Sequence, residues 1–345
     1  MQAKRLVVIG RNCFTGSHIV DRLLDDKDNT IIGVSRSPEY KDIFLPYKKR
    51  KTPKFIFHQI DIVREFKRLI ELLDREKPPV VINVAALSEV AVSNERPVEY
   101  FETNTLAVVK LCNYLRKSPY LKQYVHISSA EMFGSCQAAL NEKALFNPST
   151  PYAVSKAAAD MYINTIMKNY GFPATLIRTT NVYGIHQQLF KIIQRTIIYL
   201  KLGKTIELHG GGQAMKSFIH IRDVVDGLML TIKFGKIGTY HFTVASVKTV
   251  ADIVRHLCDF LGKDFKKSIR VVGERSDQDA RYWLDCSKAK RELGWKPKVK
   301  LEDGLKEVIE WIEENWDVIK HEPLVYTDTK IKVFLKTGEI IYEKK

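Results

Sequence analysis

The stretch that decides the fold is KRLVVIGRNCFTGSHIVDRLLDD, residues 4–26. Its first part, KRLVVIG, is a short apolar run that ends in a glycine, which is typical of a buried strand. Its last part places Ile19, Leu23 and Leu24 at helical spacing. The stretch therefore predicts a strand, a glycine-containing loop and a helix.

The same alternation continues through the first half of the chain. Further strands are predicted at TIIGVS (30–35), KFIFHQID (54–61), VVINVAA (80–86) and QYVHISS (123–129). Helical segments lie between them, such as REFKRLIELLDREK (64–77) and FETNTLAVVKLCNYLRK (101–117). This order predicts an α/β fold with a doubly wound parallel sheet, the Rossmann arrangement, which binds ligands beyond the carboxyl ends of its strands.

The regular alternation of strand and helix patterns ends at about residue 181. We expect a dinucleotide-binding domain over 1–180 and a smaller substrate-binding lobe over 181–325, partly interleaved with the first. Residues 326–345 alternate apolar and polar side chains around Thr337 and Gly338, which predicts a hairpin.

Composition limits the class of protein. The formal charge is +15, from 55 Lys and Arg against 40 Asp and Glu, which indicates either a solvated lysine-rich surface or an anionic ligand. No RNA-binding or zinc-finger pattern accompanies the charge, so a nucleic-acid partner is not expected. No apolar run approaches the ~18 residues of a membrane span. The five cysteines have no CxxC spacing, so we expect no metal site and a cytoplasmic protein.

The loop after the first strand is suited to a dinucleotide. GRNCFTG (10–16) places Gly10 and Gly16 six residues apart, and Cys13 occupies the middle position of a GxxGxxG loop. Such glycines let the pyrophosphate approach the N-terminus of the following helix. Redox chemistry at Cys13 is the less favoured alternative.

The end of the second strand bears on the choice of cofactor. An NAD site usually has Asp or Glu about 20 residues after the loop, where this chain has Ser35 and Arg36. A guanidinium suits a 2′-phosphate, so NADP is favoured over NAD. The alternative is that Arg36 is an ordinary surface arginine.

PYAVSK (151–156) places Tyr152 and Lys156 four residues apart, on one face of a predicted helix. A lysine ammonium beside the phenol, or a nicotinamide cation, would lower the pKa of Tyr152 and make it a usable base. Ser128 or Ser129 supplies a hydroxyl some two dozen residues upstream. Together with the nucleotide loop, this set predicts an oxidoreductase-type active site.

At this point the sequence resembles the extended short-chain dehydrogenase/reductases that act on nucleotide sugars. The motifs run in family order over nearly the whole chain: GRNCFTG, DI at 61, NVAALSEVAVS (83–93), ETN (102–104), SSAEMFG (128–134), PYAVSK, RTTNVYG (178–184), SFIHIRDV (217–224) and LGWKP (293–297). The resemblance implies a nucleotide-diphosphate sugar as substrate and NADP or NAD as cofactor. It also implies pairing of the helices near Phe101 and Tyr152 into a homodimer or a dimer of dimers.

The resemblance implies roles for individual positions. Cofactor contacts are expected at Gly10, Asn12, Cys13, Phe14, Thr15, Gly16, Ser35, Arg36, Asp61, Ile62, Ala85, Ala86, Asn104, Tyr152 and Lys156. Substrate contacts are expected at Ser88, Asn181, Lys191, Lys216, Arg275 and Arg281.

Within the family, SSAEMFG is most similar to the strand end of the nucleotide-sugar 4,6-dehydratases. The resemblance implies that Glu131 removes the C5 proton, that Ser129 polarises the C4 oxygen, and that Tyr152 takes the C4 hydroxyl proton. Ala130 departs from the pattern, because many dehydratases have a proton-donating aspartic acid there. Either Glu131 serves as both base and acid, or the chain carries out other nucleotide-sugar chemistry. That alternative is a 4-epimerase, whose usual SSAT matches the first three residues, or another oxidoreductase that forms a 4-keto sugar.

Two further alternatives stay open. Glu131 could be a structural residue that caps the next turn. Relatives of this fold also include NADP-sensing regulators with broken active sites, although those typically lack the tyrosine or lysine that are present here as Tyr152 and Lys156.

Overall fold

The computed structural model describes residues 4–50, 52–273 and 279–324, together with the backbone of 326–328, 333–336 and 339–342. In chain order the strands are β1 (Lys4–Ile9), β2 (Asn29–Ser35), β3 (Phe55–Gln59), β4 (Val80–Asn83), β5 (Gln123–Ser129), β6 (Ala174–Thr179), β7 (Asn181–Tyr183), β8 (Ile206–His209), β9 (Met215–Lys216), β10 (Phe218–His220), β11 (Gly238–Phe242), β12 (Lys248–Thr249), β13 (Ile269–Val272), β14 (Tyr326–Asp328), β15 (Val333–Lys336) and β16 (Glu339–Tyr342).

The α-helices are α1 (Phe14–Leu23), α2 (Phe66–Glu76), α3 (Val90–Glu95), α4 (Pro97–Phe101), α5 (Ala107–Leu115), α6 (Pro151–Tyr170), α7 (Ile192–Lys201), α8 (Ile221–Lys233), α9 (Val250–Phe260), α10 (Phe265–Ser268), α11 (Ser287–Leu293), α12 (Leu301–Glu314) and α13 (Trp316–Ile319). A π-helical turn, Glu102–Leu106, joins α4 to α5. Within the part of the chain that the structure describes, no helix combines the length and the apolar character that crossing a bilayer requires.

The main sheet has seven parallel strands in the order β11-β6-β5-β4-β1-β2-β3. Side chains of β1 alternate between the two cores: Leu6 and Val8 belong to one, and Val7 and Ile9 to the other. Because both faces are covered, the strands are apolar on both sides, as the continuous apolar runs predicted. The doubly wound parallel sheet is confirmed. Strand order reverses between β1 and β4, which is where this fold binds ligands.

The second half of the chain is interleaved with the first. The strand β11 returns to the main sheet and pairs with β6, and α8 packs against α1. A third hydrophobic core lies among α7, α9, α12 and β8 and is separate from the two that cover the sheet. The short pairs β7–β10, β8–β13 and β9–β12 form the rest of this lobe.

At the C-terminal end of the chain, β14, β15 and β16 form a three-stranded antiparallel sheet. The pairing of β15 with β16 matches the predicted hairpin, while its turn residues, Thr337 and Gly338, lie outside the described residues.

Candidate active site

The exit of β5 carries the first group of candidate residues. Ser129 ends the strand, and its Oγ accepts a hydrogen bond from the Glu131 backbone N–H at 3.1 Å. This bond starts a 3₁₀ turn, Ala130–Phe133. Gly134 ends the turn at φ 64°, and a Cβ there would lie 2.2 Å from the Asn147 carbonyl oxygen. The backbone therefore turns sharply at the strand end and holds Glu131 at the edge of the sheet.

Tyr152 and Lys156 occupy the first turns of α6. Thr150 caps this helix by accepting a hydrogen bond from the Ala153 N–H, and Pro151 stands at its first position. Tyr152 is 8% exposed and Lys156 is 2% exposed. The spacing predicted from the sequence thus places both side chains in the protein interior, on the helix face toward β5.

The protein groups alone raise the pKa of Tyr152 above its usual value. Burial is the largest cause, and the negative charge of Glu131 adds to it, while a hydrogen bond with Ser129 acts in the opposite direction. This differs from the expectation that the lysine ammonium would lower the pKa. Burial and the nearby carboxylates act in the same direction on this phenol, and together they outweigh its hydrogen bond with Ser129.

The ammonium of Lys156 is held by β5. Its Nζ donates a hydrogen bond to the Ile127 carbonyl oxygen at 2.8 Å and lies 3.3 Å from Nε2 of His126. Burial lowers the pKa of Lys156 to about 8, and the Asp160 carboxylate acts against this. Lys156 can therefore exchange its proton near physiological pH.

Glu131 is the titratable carboxyl group at the strand end. Burial raises its pKa to about 7, the ammonium groups of Lys216 and Lys191 act to lower it, and the charge of Asp279 acts to raise it. Its buried Oε2 atom has no hydrogen-bond partner among the described residues. A carboxylate with such a pKa and a vacant acceptor is suited to general acid–base work near neutral pH.

Asp279, which the sequence analysis did not identify, is fixed beside this carboxylate. Its Oδ2 accepts hydrogen bonds from Ser149 Oγ and Tyr282 Oη, both at 2.9 Å, and its Oδ1 accepts one from Ser135 Oγ at 3.2 Å. The backbone carbonyl oxygen of Asp279 accepts a hydrogen bond from Lys216 Nζ at 3.0 Å. A lone acidic residue in the run DARYW (279–283) carries no local signal, so only the fold identifies it.

The nucleotide loop adopts the predicted position between β1 and α1. A Cβ on Gly10 would lie 2.4 Å from the Ala85 N atom, and its φ is 87°, so only glycine fits. Cys13 has φ −73°, which any residue adopts, and its Sγ caps α1 by accepting a hydrogen bond from the Gly16 N–H at 3.3 Å. Burial raises the pKa of the Cys13 thiol to about 11, which does not favour redox chemistry.

The same loop is tied to the end of β2. The Asn12 N–H donates to Ser35 Oγ at 3.0 Å, and Asn12 Nδ2 donates to the Pro38 carbonyl oxygen at 2.7 Å. The first turn of α1 contains no acidic residue, so its free N–H groups can face an anion. These features fit a dinucleotide pyrophosphate. Phe14 and Gly16 are buried and Thr15 is half-buried, while Arg36, half-buried, follows Ser35 directly.

The other predicted cofactor positions fall into two groups. Ala85 and Ala86 are half-buried just after β4, next to Gly10. Asp61 and Ile62 are buried after β3, where Asp61 Oδ1 accepts a hydrogen bond from the Val63 N–H at 3.0 Å and Ile62 belongs to the second core.

Asn104, another predicted cofactor position, makes its side-chain hydrogen bonds within the protein. It is fully buried in the π-helical turn, where its Oδ1 accepts from the Leu87 N–H and its Nδ2 donates to the Leu87 carbonyl oxygen and to Ser155 Oγ. The side chain is used to hold the segment after β4 against α6. Sequence motifs give a residue's position but not the direction in which its side chain points.

The predicted substrate residues are spread over the site. Ser88 is exposed, Asn181 is half-buried at the start of β7, and Lys216 is buried. Lys191 forms an ion pair with Glu89, a contact that sequence analysis missed. Arg281 is half-buried, with its guanidinium 4.4 Å from the centre of the Trp283 ring.

The structure brings Lys191 and Lys216 to Glu131, since both act on its pKa. Arg275 lies outside the described residues. No group of three or more His, Cys, Asp or Glu side chains within the described ranges could hold a metal ion.

Known proteins are similar to this chain in sequence and in fold. The model of the GDP-mannose 4,6 dehydratase family matches residues 7–308. The dTDP-glucose 4,6-dehydratase of Haemophilus influenzae is 26% identical over 328 residues, which cover 89% of this chain and 97% of that protein. A trifunctional UDP-glucose 4,6-dehydratase/epimerase/reductase of Arabidopsis thaliana is 29% identical over 318 residues, and this chain spans 47% of it.

Solved structures agree with this assignment. DesIV, a dTDP-glucose 4,6-dehydratase from Streptomyces venezuelae with NAD bound, superposes with a TM-score of 0.83 at 29% identity, covering 91% of this chain and 98% of that one. A UDP-glucuronic acid 4-epimerase from Bacillus cereus reaches 0.82 at 24% identity, covers 90% of this chain and 99% of that one, and supports the fold alone. The chain belongs to the GDP-mannose 4,6 dehydratase family of the extended short-chain dehydrogenase/reductases.

Proposed function

We propose that this protein is a nucleotide-sugar 4,6-dehydratase, which converts a nucleoside-diphosphate hexose into its 4-keto-6-deoxy derivative. The matched family is named for a 4,6-dehydratase, as are its relative from H. influenzae and the solved DesIV structure. The observation that carries the proposal is Glu131, a half-buried residue just after β5 whose carboxyl group has a pKa of about 7 and a buried oxygen atom with no hydrogen-bond partner among the described residues. A 4-epimerase requires no such base, because it removes no proton from C5.

The chain's residues divide the reaction between them. Tyr152 takes the proton of the C4 hydroxyl group, and Ser129, its hydrogen-bond partner, stabilises the oxygen from which that proton leaves. The ketone at C4 then acidifies the C5 proton, which the Glu131 carboxylate removes as the C6 hydroxyl group departs as water. Since Ala130 has no proton to give, Glu131 passes the proton taken from C5 to the departing C6 hydroxyl group, and a proton from solvent is added at C5 when hydride returns to C6.

The cofactor supplies hydride chemistry: bound NAD would accept the C4 hydride and return it to C6, and its positive charge would lower the pKa of Tyr152. The loop Gly10–Gly16 and the N-terminus of α1 would hold its pyrophosphate. The solved relative DesIV contains NAD. This favours NAD for the present chain over the NADP preference that Arg36 suggested.

The remaining assignments are part of the same proposal. The cations Lys191, Lys216 and Arg281 would face the diphosphate of the substrate, with Asn181 beside them. Exposed apolar side chains on the α4–α5 segment and α6 support a homodimer through these helices. The free cysteines support a cytoplasmic location.

The test separates oxidation from elimination with Glu131→Gln. The variant is incubated with a panel of nucleoside-diphosphate hexoses, and both cofactor absorbance and release of the 4-keto-6-deoxy product are followed. Removal of a general base typically costs ~10²–10⁴-fold, so elimination should fall by this factor while cofactor reduction persists. The reduced cofactor should therefore accumulate.

An epimerase remains the second candidate, because Ser128-Ser129-Ala130 matches the epimerase pattern. Incubation in heavy water distinguishes the two, since only elimination exchanges the C5 hydrogen. If the wild-type protein incorporates no deuterium at C5 of any hexose nucleotide, the dehydratase proposal fails. Glu131 would then be a structural residue or a ligand of sugar hydroxyl groups.

A further inference from the structure

A histidine lies inside β5 with no access to solvent. His126 is 0% exposed, and its Nε2 lies 3.3 Å from Nζ of Lys156. An ammonium group has three N–H donors and no acceptor. The contact is therefore a hydrogen bond only if Nε2 is unprotonated and accepts.

The surroundings of His126 favour that tautomer. Its Nδ1 lies 3.3 Å from Tyr124 Oη, which also accepts a hydrogen bond from Asn83 Nδ2 at 3.1 Å. The Asn83 amide is oriented because its Oδ1 accepts from the Ala85 N–H at 3.2 Å. Nδ1 also lies 3.5 Å from Asn83 Nδ2, but that amide nitrogen is itself a donor, so Tyr124 Oη is the acceptor within reach of Nδ1. A neutral ring whose Nε2 accepts from Lys156 therefore carries its proton on Nδ1 and donates it to Tyr124. Burial, and next the charge of Lys156, lower the pKa of His126 well below its usual value, so the ring is neutral.

We propose that His126 is a positioning residue for Lys156. With the Ile127 carbonyl oxygen, it occupies two of the three ammonium N–H groups and leaves one for the reacting site beside Tyr152. It also stabilises the charged form of Lys156, as an acceptor does for an ammonium removed from water. The Asp160 carboxylate also favours this charged form. The inference rests on the proposed role of Tyr152 and Lys156, which dehydratases and epimerases of the family share.

The first test needs neither cofactor nor substrate. Protein labelled with ¹³C at lysine Cε is titrated by NMR, and the Lys156 resonance is identified by its loss in Lys156→Met. In His126→Phe, which cannot accept a hydrogen bond, the Lys156 midpoint should move to lower pH. In His126→Gln, whose amide oxygen can accept, the midpoint should return toward the wild-type value.

The second test measures the rate of cofactor reduction against pH at saturating substrate. Cofactor reduction requires protonated Lys156, so the rate falls at high pH as Lys156 loses its proton. In His126→Phe this fall, the alkaline limb of the pH–rate profile, should occur at lower pH. The rate at pH 8 should fall about tenfold or more, the effect of one lost hydrogen bond to a charged group. His126→Gln should recover most of this rate. Tyr124→Phe, which removes the acceptor for Nδ1–H, should shift the limb in the same direction by less.

His241→Phe is the matched control, because His241 is also 0% exposed and lies in β11 of the same sheet. It should lower the melting temperature without moving the midpoint of the Lys156 titration.

If His126→Phe fails to fold, the titrations of Tyr124→Phe and His126→Gln decide the role of His126. If the midpoint of the Lys156 titration is unchanged in every variant that folds, the proposal is overturned, even where the melting temperature falls. If wild-type protein reduces no cofactor with any hexose nucleotide, the proposed function fails, while the NMR titration still decides the role of His126.

Discussion

The ammonium nitrogen of Lys216 lies 3.7 Å from the centre of the Tyr282 ring. The same nitrogen donates to the Asp279 carbonyl oxygen and is the leading positive charge acting on Glu131. Burial lowers the pKa of Lys216 to about 8, against the charges of Glu131 and Asp279. Lys216 thus joins the small C-terminal lobe to the base at the end of β5.

In Lys216→Met, the acid limb of the pH–rate profile for elimination should move to higher pH. The Glu131 carboxylate is a base only when ionised, and its pKa of about 7 is held down by Lys216. Loss of that charge raises the pKa further, so less carboxylate is present at pH 7 and the rate falls there. The measurement is kcat for elimination against pH, taken at saturating substrate so that weaker substrate binding does not contribute.

Lys216→Arg keeps the charge and is the control for this prediction. Its acid limb should stay close to that of the wild-type protein. A Lys216→Met variant whose limb does not move would mean that Lys216 does not control the ionisation of Glu131.

Arg36→Ala tests cofactor choice. If the guanidinium binds a 2′-phosphate, the substitution should weaken NADP binding about tenfold or more and leave NAD binding nearly unchanged. Dissociation constants for both dinucleotides are measured by calorimetry, with Arg75→Ala at the end of α2 as the control. Equal affinities for NAD and NADP before and after the substitution would show that Arg36 makes no distinction.

The apolar surface of the α4–α5 segment and α6 predicts the assembly. Val98 is 65% exposed, Leu106 52% and Met161 59%, an unusual exposure for three large apolar side chains on helices that pack together. The double substitution Leu106→Lys and Met161→Lys should convert a dimer into a monomer, because it would bury charges against apolar partners. Light scattering measures the mass. Val271→Lys, at another exposed apolar residue, should leave the mass unchanged; a wild-type monomer would contradict the prediction.

The ion pair between Arg178 and Asp160 should contribute to stability. Arg178 Nε donates to Asp160 Oδ2 at 2.9 Å, and the two side chains are 1% and 0% exposed. Asp160→Asn leaves the guanidinium buried without its counter-charge, which should cost about 3–5 kcal/mol of the free energy of unfolding. Urea unfolding measures this. Asp317→Asn, which removes the charge of an exposed pair with Lys320, is the control and should change the midpoint of urea unfolding little. Equal effects of the two substitutions would refute the prediction.

Much of the site was predictable because its signals are local. The strand, loop and helix around Gly10–Gly16 follow from the periodicity of a few neighbouring side chains. Tyr152 and Lys156 share a face because four residues make about one helical turn. The position of Glu131 follows from the end of an apolar strand. Each of these features is fixed by residues close together in the chain.

Tertiary structure decided the pKa values of these groups and the contacts that neighbouring side chains make. The pKa of Tyr152 is raised, and that of Glu131 is about 7, because packing removes both from water. Asn104 is buried in contacts with Leu87 and Ser155, which its motif did not indicate. Asp279 comes to Glu131 from the distant C-terminal part of the chain. Desolvation and side-chain direction depend on which segments pack together. Local sequence patterns do not show which distant segments will meet, so these properties could not be predicted from them.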